Sequence, residues 1–139
     1  MIEEVIKNEG HIDLLVNNFG ATNVTKDLDL IQGDSDTFFQ TVNSNLESVY
    51  LTCKSAIPQM IKQGYGRIVN VSSIGSIVPD LSRLGYMVSK SAINCLTQNI
   101  AFMYARFGIR CNGIMPGMTA TPAVVNNMTE TFSNVYLSH

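Results

Sequence analysis

The chain is short of charge, and it lacks both a basic cluster and a long apolar run. Charged residues make up 14% of its 139 residues, and the formal net charge is −2. Binding to nucleic acid requires a basic footprint, and a membrane-spanning helix requires about 20 consecutive apolar residues. No secretory signal pattern precedes the first helix. We therefore expect a cytoplasmic protein that binds neither nucleic acid nor a membrane.

Cysteine and histidine are scarce as well, which argues against a metal site and against a disulfide framework. Cys53, Cys95 and Cys111 are odd in number, lie among apolar residues and lack the spacing of metal ligands. His11 and His139 are isolated in the sequence. Buried, reduced thiols are the expected state of the three cysteines, and we expect no metal.

What the chain does contain is an alternation of strand and helix patterns. An apolar content of 45% is enough for the core of one domain. The predicted elements are a helix over 1–9, a strand over 12–16, a helix over 36–63, a strand over 67–72, a helix over 84–107 and a strand over 109–114. Asp34 or Ser35 is a suitable N-cap for the second helix, and Gly108 ends the third. This alternation predicts an α/β fold with a parallel sheet.

Tyr86 and Lys90 are the most informative residues, because a spacing of four places both side chains on one face of the third helix. A phenol keeps its proton up to about pH 10, so it is a weak base at neutral pH. A lysine one turn away favours the phenolate, and the pair can serve as a general base. The spacing alone is common by chance, and on most surface helices it means only a solvated lysine beside a ring. Ser73 favours the catalytic interpretation, since it ends a buried strand pattern whose carboxyl end would line a ligand crevice.

Four short motifs, in order and at similar spacing, resemble those of the short-chain dehydrogenase/reductase family. They are the turn Asn17-Asn18-Phe19-Gly20, the helix residue Asn45, the set Ser73, Tyr86 and Lys90, and the segment Pro116-Gly117-Met118-Thr119-Ala120-Thr121. The resemblance covers essentially the whole chain. It implies a Rossmann-like, doubly wound parallel sheet, of which this chain carries the central and C-terminal strands and helices, and it implies NAD or NADP as the cofactor.

The resemblance also implies a role for each matching residue. Tyr86 is the expected acid/base, Ser73 would donate a hydrogen bond to the substrate oxygen, and Lys90 would stabilise the phenolate and bind the nicotinamide ribose. Asn45 would hold a water that links Lys90 to solvent. The other expected cofactor contacts lie in the loops after the first and last strands, at Asn18, Gly20, Pro116, Gly117, Thr119 and Thr121.

Two departures from the family pattern stand out. Phe19 replaces a small residue, which we interpret as a tolerated variation rather than a disabled site. The turn Thr-Gly-x-x-x-Gly-x-Gly that cradles the pyrophosphate does not occur in this sequence, and neither does the residue that selects between NAD and NADP. We therefore expect 1–139 to be a single, partial NAD(P)-binding domain from the middle of a longer dehydrogenase, in which 118–139 begins a flap over the substrate.

The expected substrate class is inferred from the resemblance more than from the chemistry of individual residues. The segment 118–139 is rich in methionine, valine and phenylalanine, which suits a bulky apolar alcohol. The sequence Pro-Gly-Met-Thr-Ala-Thr, together with Phe19, resembles that of bacterial hydroxysteroid dehydrogenases that act on bile acids, with the 7α-hydroxyl as a candidate position. A reductase of 3-oxoacyl thioesters is the alternative within the family.

A non-catalytic fragment is the alternative from another class. In the family the two long helices, 36–63 and 84–107, pack against a partner subunit, so a homo-oligomer, dimer or tetramer, is expected. The predicted pairing surface contains Val49, Tyr50, Ala56, Ala101 and Tyr104. The strand over 12–16 would lose its neighbour in such a fragment and expose an apolar edge, which promotes association.

Overall fold

The computed structural model of the chain describes residues 1–79, 83–119, 121 and 122. Its longer elements are α1 (Ile2–Glu9), β1 (Leu14–Asn17), α2 (Ser35–Gln63), β2 (Gly66–Val71), α3 (Leu84–Tyr104) and β3 (Ile109–Ile114). A short 3₁₀ turn, Ile74–Ser76, follows β2, and a second one, Ala105–Phe107, follows α3. Most of the segment 118–139, predicted to begin a flap, lies outside the described residues. Within the described part of the chain, no helix is both long and apolar enough to cross a bilayer.

The three strands form one parallel sheet in the order β1-β2-β3. A helix connects each pair, α2 between β1 and β2 and α3 between β2 and β3. Leu15, Ile68 and Cys111 lie side by side in the register. This confirms the predicted α/β class and the parallel sheet.

Strand β1 begins two residues later than predicted, because the side chain of Gln63 binds the backbone of Ile12. The amide of Ile12 donates to Gln63 Oε1 at 2.8 Å, and Gln63 Nε2 donates to the carbonyl of Ile12 at 2.9 Å. A side-chain amide thus replaces the strand partner that Ile12 would otherwise need. The strand ladder with β2 starts only at Leu14, which pairs with Arg67.

The helix ends follow capping chemistry. Asp34, one of the two predicted candidates, is the N-cap of α2, and its side chain accepts from the Thr37 amide at 2.8 Å. Gly64 ends α2 in the left-handed region with φ 67°. Pro58 lies in the last turns of α2, and the helix continues to Gln63. The predicted third helix ends earlier as an α-helix, at Tyr104, because its last turn tightens into the 3₁₀ turn before Gly108.

One face of the sheet and the inner sides of α2 and α3 enclose the core. The buried apolar residues are Ile12, Val49, Cys53, Ala56, Ile57, Met60, Ile68, Ile93, Ile100, Ile109 and Cys111. Two sequence predictions are wrong here. Cys95 is exposed on α3 rather than buried. Val49 and Ala56, predicted on the pairing surface, are 1% and 0% exposed and belong to the core, because the inward stripe of α2 passes through both.

The opposite face of the sheet is open. Leu14 and Val16 on β1 are 55% and 53% exposed, and Ile114 on β3 is 50% exposed. Parallel sheets are usually covered on both faces. The described residues therefore leave several apolar side chains of this sheet face in contact with solvent.

Candidate active site

The candidate site lies where the three parallel strands end. Loops leave the carboxyl ends of parallel strands on the same edge of a sheet, which is where ligands bind in open α/β folds. Two hydrogen bonds hold the segments after β2 and β3 together: Ser72 N donates to the Ile114 carbonyl at 2.8 Å, and Ile74 N donates to the Pro116 carbonyl at 2.9 Å. Ser73 and Pro116 therefore belong to the same edge.

Lys90 is the central charge of this edge. It is 2% exposed, and its Nζ donates to the carbonyl of Phe19 at 3.0 Å and to that of Val71 at 2.9 Å. These carbonyls follow β1 and end β2, so one ammonium ties both strand ends to α3. Burial lowers the pKa of Lys90, because the charged form loses its water.

Tyr86 lies one helical turn before Lys90 on α3, and the lysine Nζ is 5.6 Å from the centroid of its ring. A Cβ built on Gly20 would be 2.9 Å from Lys90 Nζ and 3.7 Å from Tyr86 Cε2. A side chain at position 20 would displace the end of Lys90 from the two carbonyls that hold it. The structure thus brings Tyr86, Lys90 and Gly20 together.

The chain contains a second tyrosine and lysine at the same spacing, and this pair shows that the spacing alone does not define a site. On α2, Lys54 Nζ lies 5.7 Å from the centroid of the Tyr50 ring, nearly the same distance as in the pair on α3. Tyr50 is 47% exposed and Lys54 is exposed as well. Burial against two carbonyls, rather than spacing, distinguishes the pair on α3.

Ser73 follows β2 with extended backbone and is half-buried. Its Oγ accepts a hydrogen bond from the Gly75 amide at 3.2 Å. A Cβ on Gly75 would lie 3.4 Å from Met87 Cγ and 3.6 Å from Ser73 Oγ, so this turn packs beside the residue that follows Tyr86. Ser73 therefore lies near the first turns of α3, which carry Tyr86.

Asn45 is fully buried and connects α2 to the other parts of the site. Its Oδ1 accepts from Ala21 N at 2.9 Å, and its Nδ2 donates to Ala21 O at 3.0 Å and to Ser89 Oγ at 2.9 Å. Both amide N–H groups are used, so the side chain clamps the loop after β1 onto α3. The water that the resemblance assigns to Asn45 would have to donate to the second lone pair of Oδ1 or to the backbone carbonyl, which already accepts from Ser48 Oγ at 3.0 Å. That role stays a prediction.

The remaining predicted cofactor residues are exposed along the same edge. Asn18 lies in the loop after β1, and Gly117, Thr119 and Thr121 follow Pro116. A Cβ on Gly117 would meet open space, and the Thr121 amide donates to Thr119 O at 2.7 Å. Their contacts with a cofactor stay predictions.

Two supporting residues escaped the sequence analysis. Ser72 Oγ donates to the Lys90 carbonyl at 3.0 Å. Asp27, 2% exposed, accepts from the amides of Gly85 and Tyr86 at 2.7 and 3.0 Å. Ser72 adjoins Ser73 and could have been suspected, whereas no local pattern marks an aspartate in a polar loop.

This fold and this edge define a Rossmann-like α/β protein with a tyrosine and a buried lysine beside the strand ends. A family model described as short chain dehydrogenase matches residues 1–131. The chain belongs to the short-chain dehydrogenase family, as the four motifs predicted.

Individual relatives agree with this assignment. The chain is 56% identical over 139 residues to a 7α-hydroxysteroid dehydrogenase of Clostridium sardiniense and 54% identical to one of Paraclostridium sordellii. It spans about half the length of these relatives, 53% and 52%. A gluconate 5-dehydrogenase of Burkholderia cenocepacia J2315, solved in complex with NADP and tartrate, has a TM-score of 0.87 and 29% identity over 99% of this chain and 53% of its own. These similarities confirm the predicted Rossmann-like fold.

Proposed function

We propose that the natural protein carrying this sequence is an NAD(P)-dependent oxidoreductase that interconverts a secondary alcohol and a ketone. The observation that carries the proposal is the position of Tyr86 beside the buried ammonium of Lys90, at the carboxyl edge of a sheet of this family. We propose that Ser73 binds the substrate oxygen and that Asn45 holds a water that links Lys90 to solvent.

The proposed chemistry is acid/base catalysis with electrostatic support. Tyr86 takes the proton of the substrate hydroxyl during oxidation and returns it during reduction. Lys90 stabilises the phenolate, since its charge is buried and held in place by two carbonyls. Ser73 Oγ donates a hydrogen bond to the substrate oxygen, where charge develops.

The residues at the edge fit a nicotinamide nucleotide. An ammonium has three N–H donors, and the carbonyls of Phe19 and Val71 use two of those on Lys90. The third can serve a ribose hydroxyl, which approaches over Gly20 because this residue has no side chain. A bound nicotinamide supplies the hydride acceptor in oxidation and the hydride donor in reduction. We propose NAD or NADP, with further contacts from Asn18, Gly20, Pro116, Gly117, Thr119 and Thr121.

A hydroxysteroid, in particular a bile acid with a 7α-hydroxyl, is the proposed substrate. Support comes from the two relatives of that name, each more than half identical to this chain. Exposed apolar side chains near Ser73 suit a rigid ring system: Ile74, Ile77 and Val78 are 40%, 61% and 51% exposed.

We also propose that the natural protein is a cytoplasmic homo-oligomer that pairs through α2 and α3. A groove between these helices is lined by apolar and polar side chains: Asn43, Leu46, Glu47, Tyr50, Ala92, Cys95, Leu96 and Asn99. Its apolar lining, with Leu46, Tyr50 and Leu96, suits a second pair of helices.

The test is an oxidation assay of the natural protein with a 7α-hydroxy bile acid, its 7β epimer as the substrate control, and NAD or NADP. Tyr86→Phe should lower turnover about a thousandfold, because it removes the acid/base, while cofactor affinity changes little. Tyr50→Phe is the matched control, since it alters the exposed pair of the same spacing but keeps the ring that lines the proposed pairing groove, and it should retain turnover.

Substantial turnover by the Tyr86→Phe variant would contradict the assignment of the acid/base. Equal rates with both epimers would contradict the 7α preference.

A further inference from the structure

We propose that Asp27 is a positioning residue for Tyr86, which it holds through the N-terminus of α3. The proposal rests on the proposed function, since it assigns Asp27 an effect on the rate of that reaction. Asp27 lies in the loop that leaves β1, far from α3 in the sequence, and it is 2% exposed.

Among the described residues at its own N-terminus, helix α3 has no side-chain cap. Its N-cap residue, Arg83, has left-handed backbone with φ 60° and ψ 48°, and its side chain makes no capping hydrogen bond. The first amides of a helix have no partner within the helix and must be satisfied from outside. Since α3 carries Tyr86 within its first turn, the group that satisfies these amides also determines where Tyr86 lies.

Two consecutive residues of the loop after β1 satisfy four consecutive amides, that of the N-cap Arg83 and the first three of α3. The backbone carbonyls of Asp27 and Leu28 accept from Arg83 N at 2.9 Å and Leu84 N at 3.2 Å. The two carboxylate oxygens of Asp27 accept from Gly85 N at 2.7 Å and Tyr86 N at 3.0 Å. An anion at this position also interacts favourably with the helix dipole.

The fit of the carboxylate is close on both sides. Thr22 Oγ1 donates to Asp27 Oδ2 at 2.8 Å, which orients the carboxylate from within the loop. A Cβ built on Gly85 would lie 3.1 Å from Asp27 Oδ1 and 3.1 Å from the Phe38 carbonyl. A Cβ at position 85 would therefore require the carboxylate or the Phe38 carbonyl to shift by a few tenths of an ångström.

This arrangement couples the proposed cofactor loop to the acid/base. The loop that carries Asn18 and Gly20 reaches Asp27 a few residues later, and Lys90 Nζ binds the same loop at the Phe19 carbonyl. A catalytic group displaced by about 1 Å can lose about a hundredfold in rate. Loss of the carboxylate releases the amide of Tyr86 itself, so the phenol loses its fixed position although no group that touches the substrate has changed.

The experiment compares Asp27→Ala and Asp27→Asn in the natural protein. Asp27→Ala should lower kcat by about tenfold to a hundredfold with cofactor affinity within about twofold. Asp27→Asn should recover part of the rate, because it keeps one acceptor oxygen and the same volume. Hydrogen exchange should become faster at the amides of Gly85 and Tyr86 in both variants, and more so in Asp27→Ala.

Asp34→Ala is the matched control, since the Asp34 carboxylate accepts from Thr37 at the start of α2 and from no described residue of α3, while the bond from its backbone amide to the Lys26 carbonyl is kept. It should destabilise the protein and retain kcat. Unchanged kcat in Asp27→Ala, or equal losses in Asp27→Ala and Asp34→Ala, would overturn the proposal. Amide exchange reports the cap whatever the reaction is, and failure of the unaltered protein to oxidise any alcohol would instead count against the proposed function.

Discussion

At the scale of single residues, Lys90 shows how burial and hydrogen bonding act against each other. Burial lowers its pKa, while two carbonyls replace part of the water that the ammonium has lost. Between the lowered folded pKa and the ordinary value of about 10.4, the unfolded chain binds more protons, so the free energy of unfolding rises with pH. Below that window the full desolvation cost of the charge is present. A residue that costs stability at neutral pH is consistent with a functional role.

Replacement of Lys90 in the natural protein tests that role. Lys90→Met fills a similar volume without charge, so turnover should fall by about a hundredfold or more, and cofactor binding should weaken. The free energy of unfolding should change little in comparison, because the substitution also removes a desolvated charge. Turnover, cofactor titration and urea unfolding are the measurements.

Lys54→Met is the control for this prediction, because Lys54 lies at the same distance from a tyrosine ring but is exposed. Its turnover should match that of the unaltered protein. Equal effects of the two substitutions would mean that the buried ammonium has no special part in the reaction.

At the scale of elements, a buried chain of polar side chains joins the two long helices through the sheet. Thr52 Oγ1 donates to Asn17 Oδ1 at 2.7 Å, Asn17 Nδ2 donates to Asn70 Oδ1 at 2.8 Å, and Asn70 Nδ2 donates to Thr97 Oγ1 at 2.8 Å. Each of these four side chains lies on a different element, α2, β1, β2 and α3. Because an unpaired buried amide is costly, this series of hydrogen bonds fixes the positions of β1 and β2 relative to both helices.

The connection between α3 and β3 depends on a glycine. Gly108 has φ 74°, and a Cβ at this position would collide with the carbonyl oxygen of Gly64, which ends α2. Gly108→Ala should therefore cost the left-handed strain of about 1 kcal/mol and a further penalty for the collision. Urea unfolding of the natural protein measures the loss.

Gly10→Ala separates the two contributions to that loss. Gly10 has φ 76° with no neighbouring atom within 4 Å of an added Cβ, so this variant carries the strain alone. Equal losses in free energy of unfolding for the two variants would show that the contact with Gly64 has no energetic effect.

At the scale of the whole molecule, the described residues form half of a layered structure. Helices α2 and α3 cover one face of the sheet, whereas Leu14, Val16 and Ile114 leave the other face exposed. Strand β1 is at the edge of the sheet, so its outer backbone groups have no strand partner among the described residues. An apolar face beside an unpaired edge favours association.

We expect the isolated chain of 139 residues to associate or to unfold at low urea. Val16→Lys adds a charge to the open face of β1 and should reduce association in sedimentation velocity experiments. Val24→Lys is the control, because Val24 is 55% exposed in a loop and Val16 is 53% exposed on the strand. A soluble monomer that unfolds cooperatively with a free energy of several kcal/mol would contradict this expectation.

Local interactions explain which features the sequence alone determined. The elements, the Asp34 cap, the left-handed Gly108 and the shared face of Tyr86 and Lys90 depend on residues a few positions apart, so periodicity and capping rules predict them. The family followed from four motifs for a similar reason, since each is a short string, a single residue or a set of residues at a fixed spacing within the sequence.

Packing alone determined that Lys90 is buried while the equally spaced Lys54 is exposed, and that Cys95 faces outward while Val49 and Ala56 face the core. It also decided that Asp27 binds amides 58 and 59 positions away. Burial and long-range hydrogen bonds depend on how the helices pack on the sheet, and no pattern within a few residues encodes that packing.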